Sequence, residues 1–151
     1  MTASTTDRVT ENTSKRVNQE IQTETSDNVV RAAIRGRHAI DERLAELDRE
    51  WDVERTLETN AATIVLVGCA LGALVDRRFF IMPAVVGGFL LQHAIQGWCP
   101  PLPLFRKMGI RTTAEIDQER YALKALRGDF LHTRGQGPRA NAERALQAAR
   151  R

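Results

Sequence analysis

The sequence is short of cysteine, of aromatic residues and of strong net charge. With only Cys69 and Cys99, no disulfide framework is available. These two are not expected to pair with each other. If the chain folds about a tip at Arg77, their depths differ by about 20 Å, and a disulfide needs Cα atoms within about 7 Å. A formal charge of +3 is too small to draw a nucleic acid, so none is expected as a partner. The N-terminus lacks the apolar stretch of a cleavable signal peptide. Also missing are a Gly-rich phosphate loop, a Ser/His/Asp set and a metal motif with diagnostic spacing. No catalytic residue, metal site or cofactor is therefore expected, and the chain reads as a non-enzyme.

What the chain does have is two apolar runs on either side of a charged turn. Mean hydropathy over all 151 residues is slightly negative, which hides how tightly the apolar residues are bunched. Ala61 to Val75 carries no charge over 15 residues, about 22 Å of helix. Phe79 to Trp98 is 20 residues without a formal charge if His93 is neutral, enough to cross a hydrocarbon core about 30 Å thick. Asp76-Arg77-Arg78 separates them, so two antiparallel neighbouring helices are expected. Both runs are apolar on every side and lack the polar stripe of a surface helix. The competing reading is a soluble helical hairpin with a buried core, but the rest of the chain offers little apolar surface to cover it. A transmembrane hairpin is the expected arrangement.

Small residues mark the expected packing faces. Gly68 and Gly72 form a G-x-x-x-G pair, and Ala84 and Gly88 a small-x-x-x-small pair. Folding about Arg77 brings Gly68 level with Gly87. Small residues let helix backbones approach, within one chain or between two copies, so a homo-oligomer is expected. Pro83 sits in the first turn of the second helix, where its missing N–H matters least. Trp98 suits the headgroup level, and Pro100, Pro101 and Pro103 impose an extended exit. Lys and Arg near the helix ends set the orientation. Arg43, Arg49, Arg55, Arg106, Lys107 and Arg111 flank the base, and Arg77 and Arg78 sit at the tip. The positive-inside tendency then places both termini in the cytoplasm.

The flanks read as helices and tails. Residues 1–28 have almost no large apolar side chain and are expected to be a disordered polar tail. Residues 29–58 read as a cytoplasmic amphipathic helix, with an interaction seam at Ile40, Leu44, Leu47 and Trp51 on a/d spacing. No Gly or Pro occurs between Arg37 and Val67, so this helix could run on into the membrane. Glu42, Glu46, Glu50, Glu54 and Glu58 repeat every four residues, as a solvated acidic face or as a docking strip for a basic partner. The hairpin occupies residues 59–99, and residues 100–130 hold the proline exit and a C-terminal helix. Thr112-Thr-Ala-Glu115 is a capping box opening that helix, and Gly128 is its stop. Residues 131–151 form a basic tail with five arginines against Glu143, suited to anionic lipid or to solvation.

Cys99 is the thiol candidate. It lies at a helix C-terminus, the wrong end to lower its pKa, although Arg106 and Lys107 partly compensate. Two readings stay open: packing, or thiol, persulfide or soft-metal handling. His93 and Met108 could join it in a soft-metal cluster, but His93 is expected to bond across the helix pair. Cys69 reads as a small apolar filler.

Val53 to Leu104 resembles the YgaP-like transmembrane domain, a bacterial inner-membrane hairpin. The resemblance is carried by Gly68 and Gly72, by Phe79-Phe80, by Gly87-Gly88 and by Gly97-Trp98-Cys99. It implies a bacterial inner-membrane location and a homodimer through the helices, but no activity. In one member of the family the hairpin follows a rhodanese domain, and this chain has no room for one. The expectation is thus an all-α protein: a two-helix transmembrane hairpin with a long N-terminal amphipathic helix and a shorter C-terminal helix. It would act as a membrane anchor and interaction module with lipid, a second copy and a cytoplasmic protein as partners. The alternative is a sulfur or soft-metal carrier using Cys99 with a separate soluble protein.

Overall fold

The computed structural model describes residues 5–131 and 141–145. Their regular structure is all helical. The helices are α1 (Thr5–Glu11), α2 (Lys15–Arg35), α3 (Arg37–Leu47), α4 (Val53–Leu74), a 3-10 helix (Arg77–Phe80), α5 (Ile81–Gln96), α6 (Leu102–Lys107) and α7 (Thr113–Arg127). Two of these segments, Val53–Leu74 and Arg77–Gln96, are long and apolar enough to cross a membrane. The chain divides into two compact units. The first comprises Met1–Thr23 and Trp51–Ile116, the second Glu24–Glu50 and Asp117–Arg151. The basic tail expected at 131–151 lies outside the described residues, apart from Leu131 and a helical stretch at 141–145.

The N-terminal segment is where the structure departs most from expectation. Two helices occupy the region expected to be a disordered tail. Few apolar residues suffice because each is well buried: Val9 on α1, and Val17 and Ile21 one turn apart on α2, are all 4 % exposed or less. Each such burial stabilises by about 1.5–3 kcal/mol. Ser14 starts α2, its hydroxyl accepting from the Val17 N–H at 3.4 Å.

The expected single helix from residue 29 into the membrane is broken twice. At Gly36 the backbone turns through φ +88°, a conformation that costs glycine nothing. Between Leu47 and Val53 the interruption is made by polar capture. The Asp52 carboxylate takes the Arg55 N–H at 2.7 Å and the Thr113 hydroxyl at 2.9 Å, while the Val53 N–H donates to the Arg111 carbonyl at 2.8 Å. These bonds replace the ones a continuous helix would make.

In the second unit the seam residues are spent on the chain's own interior. Ile40, Leu44 and Leu47 are buried, and only Trp51, which begins the next stretch of the first unit, is open, at 45 %. Three of the four are therefore not available to a partner. The acidic ridge is likewise partly neutralised. Arg43 bonds the buried Glu119 with two nitrogens, at 2.7 and 3.2 Å, reaches Glu46 at 2.8 Å and lies 3.8 Å from Glu50. The Glu119 carboxylate, more than burial, sets the Arg43 pKa and holds it above its ordinary value.

In the first unit α4 packs on α5 and the 3-10 helix. Its buried residues are Val53, Leu57, Ala61, Gly68 and Gly72, a single face. The register lies one helical turn nearer the tip than expected. A Cβ on Gly68 would come within 2.7 Å of Pro83 Cδ and 3.1 Å of Met82 Cβ, and one on Gly72 within 2.9 Å of the Phe80 ring. Gly68 thus faces Pro83 instead of Gly87. The reversal is confined to Val75 and Asp76, because the Asp76 carboxylate caps the Arg78 N–H at 2.8 Å and starts the 3-10 helix at once. Ala84, Gly87 and Gly88 are exposed, and a Cβ on Gly87 or Gly88 would meet nothing described within 4 Å.

The prolines do not give an extended exit. Gly97, at φ +71°, ends α5, and Pro101 caps α6 with helical angles. Its fixed φ and missing N–H suit that position.

Denaturant unfolding in mild detergent tests this packing. Gly68→Ala and Gly72→Ala should each lower stability by about 1–3 kcal/mol, whereas Gly87→Ala should leave the α4–α5 packing undisturbed, because a Cβ there meets nothing described within 4 Å. Leu44→Asp should cost about 3 kcal/mol or more by placing an unpaired carboxylate in the interior. A Leu44→Asp protein with native stability and altered association would return the seam to the surface.

Candidate functional site

The first unit carries two contrasting surfaces: an apolar sheath on α4 and α5, and a polar clamp at their base. On the sheath, Leu66 is 71 % exposed, Leu74 85 %, Leu91 63 % and Ile95 63 %. Val67, Val75, Ile81 and Val85 are also open. Exposure of large apolar side chains on this scale exceeds the scattered hydrophobics of an ordinary water-facing surface.

The base is closed by the N-terminal segment. Arg8 of α1 donates to the Ala94 carbonyl at 3.3 Å, and the Asn12 amide donates to the Gln96 carbonyl at 3.1 Å. Both bonds satisfy carbonyls that the end of α5 leaves without helical partners. The approach requires glycine at position 97 twice over: for its positive φ, and because a Cβ there would lie 2.4 Å from Arg8 Cβ. Val9 then enters a core with Val53, Leu57, Cys99 and Leu102.

Arg106 sits at the centre of the clamp and is 1 % exposed. Its guanidinium makes a bidentate pair with Glu115 at 2.7 and 2.7 Å and donates to the Ile110 carbonyl at 3.0 Å. It also reaches Thr13 Oγ1 at 3.2 Å and Asn18 Oδ1 at 3.1 Å. Glu115 is fixed in turn by the capping box: it accepts from the Thr112 N–H at 2.8 Å, and its own N–H donates to Thr112 Oγ1 at 3.3 Å. Burial alone would raise the Glu115 carboxyl, but the Arg106 guanidinium and the Thr112 bonds outweigh it and hold it below the usual carboxylate range. In the sequence Arg106 stands out as a flanking positive charge and as a neighbour of Cys99, not as the partner of Glu115.

Cys99 is buried at 1 % exposure among these residues. Burial pushes its thiol up, and the Leu102 N–H offsets this only in part. A thiol held protonated and out of reach is a poor nucleophile and a poor metal ligand. Cys69, expected as a filler, is exposed. His93 is buried, yet neither ring nitrogen has a hydrogen-bond partner among the described residues, so it does not bond across the pair. Met108 is 67 % exposed. Among the described residues no group of three or more His, Cys, Asp or Glu is placed to hold a metal ion.

Around Trp51 the Arg55 guanidinium stacks on the indole, 4.3 Å from the ring centroid. Trp51 precedes α4 by two residues and Trp98 follows α5 by two, so both tryptophans of the chain lie at the base.

Protein-family models, characterised proteins and solved structures were all compared with this chain, and none matches it.

The clamp predicts an acid-sensitive fold. The folded Glu115 pKa lies below its ordinary 4.5, so its contribution is complete above that value and is lost as pH falls through the lower, folded one. Unfolding at a series of pH values should show stability dropping below about pH 4.5. Glu115→Gln should be less stable at neutral pH and flatter across that window. Arg106→Ala, which strands a buried carboxylate, should cost about 3–5 kcal/mol.

Proposed function

We propose that this protein is a non-enzymatic membrane anchor and interaction module. Its α4–turn–α5 segment would cross the bilayer as a hairpin, and the base clamp and second unit would remain in the cytoplasm. The observation that carries this reading is the apolar sheath. Val53–Leu74 and Arg77–Gln96 hold most of their apolar side chains on the outside, with 22 % and 6 % of their most apolar windows buried. In water such a surface is a liability. In lipid it needs no cover, and the backbone polar groups are already satisfied within the helices.

Three further features agree. Trp51 and Trp98 each lie two residues beyond the base end of a helix, where an interfacial belt would fall. The tip carries Asp76, Arg77 and Arg78, which suit the opposite headgroup region. Positive charge is greater at the base than at the tip, which favours cytoplasmic termini. Arg43 and Arg106 still count toward this bias, because it acts on the inserting chain before they meet Glu119 and Glu115. The resemblance to the YgaP-like domain stands within this proposal and supplies the bacterial inner membrane as the compartment.

Self-association belongs to the same reading. Gly68 and Gly72 are occupied within the chain, which leaves the Ala84, Gly87 and Gly88 face of α5 for a second copy. A cytoplasmic protein partner would meet the polar surfaces of the second unit. The sulfur or soft-metal carrier is not favoured, because Cys99 is 1 % exposed in apolar surroundings, where burial pushes its thiol up.

Topology tests the proposal. A single cysteine at Arg78, and separately one at Arg49, in a Cys69→Ser, Cys99→Ser background, should label with a membrane-impermeant maleimide from opposite sides of the membrane. The tip should react in intact cells and the base only in inverted vesicles. Labelling of both from one side, or release of the protein by washing without detergent, would remove the hairpin.

A further inference from the structure

Between α4 and α5, near their base, the sheath opens into a groove of about 480 Å³. That volume lies within the range of small-molecule sites, about 300–1,000 Å³. Its walls include Ile64 on α4 and Val86 and Phe89 on α5, and its floor is Cys99, Pro101 and Phe105. Asn60 is the polar side chain of an otherwise apolar lining, and one of its two amide N–H groups is given to the Thr56 carbonyl at 2.8 Å. The groove therefore presents almost no hydrogen-bonding capacity to whatever fills it.

The occupant follows from that lining and from what adjoins it. Water is a poor filler, since an ordered water needs two to four polar partners. A hydrocarbon chain is narrow, flexible and apolar throughout. The groove is also continuous with the sheath: Ile64 and Phe89, 42 % and 40 % exposed, belong to both. We propose that it holds one acyl chain of a phospholipid from the leaflet on the Trp98 side, as a bound lipid distinct from those covering the rest of the sheath. This inference rests on the membrane reading above.

The test separates the two. The full chain is reconstituted in phosphatidylcholine–phosphatidylglycerol vesicles containing a trace of phospholipid with a diazirine in its acyl chain. After irradiation, adducts are mapped by mass spectrometry. Phe89 and Pro101 should carry several-fold more adduct than the sheath residues Leu66 and Leu91. Ile64→Trp, a change at the rim that fills the groove, should lower labelling at Phe89 and Pro101 several-fold and leave Leu91 unchanged. If Leu66 and Leu91 label and the groove residues label no more than they do, the bound lipid is overturned and the hairpin stands. Groove residues protected from label in a protein whose oligomer is lost on Ile64→Trp would give the groove to a second copy. If neither helix labels, the membrane reading falls, and this inference with it.

Discussion

The buried Arg106 guanidinium is the interaction on which the base of the first unit depends. A cation 1 % exposed must have its donors met or it would not stay in the interior. Meeting them gathers Thr13 and Asn18 from the N-terminal segment, the Ile110 carbonyl from the turn after α6, and Glu115 from the first turn of α7. Once those are in place, α1 lies over Gly97 and Arg8 and Asn12 reach the open carbonyls of α5. The apolar pair thus acquires a polar floor made from parts of the chain that have little hydrophobicity of their own.

That floor divides the first unit by solvent preference. Above it, α4 and α5 bury one face against each other and leave the others apolar and open. Below it, Arg106 is paired with Glu115, and Val9, Cys99 and Leu102 are inside, while Leu104 and Met108 stay open. The second unit repeats the lower pattern, with Arg43 on Glu119 and Arg127 on Asp41 at 2.8 Å. In the membrane reading proposed above, this change from outward-facing hydrophobics to paired ions would fall at the lipid–water boundary.

How much of this is legible in the sequence depends on the reach of each interaction. The apolar runs, the capping box at Thr112 and Glu115 and the stop at Gly128 are local patterns, and the structure has helices, bonds and a positive φ at those places. The glycines of α4 were readable as contact points, but not their partners. Whether Gly68 meets Pro83 or Gly87 turns on how tightly Asp76 reverses the chain. The N-terminal helices were missed because Val9, Val17 and Ile21 look too few when counted, and their burial depends on residues far along the chain, as Val9 meets Val53, Cys99 and Leu102. The break before α4 was missed because it needs neither Gly nor Pro: Asp52 makes it with help from Arg111 and Thr113. The Arg106 site was the least accessible, since its partners lie 93, 88 and 9 positions away in the chain.

The long reach of the clamp also constrains the order of assembly. Arg8 and Asn12 bond to residues 86 and 84 positions further on. During synthesis, at roughly 5–20 residues per second, α1 and the start of α2 emerge several seconds before Gly97 and Arg106 exist to receive them. Through that interval the segment has no site to occupy, and its three apolar side chains are too few to hold it folded alone. Non-local closure of this kind is slow and comes late. The helical pair can therefore settle first, and the earliest-made helix is placed only when the chain through Glu115 has been completed.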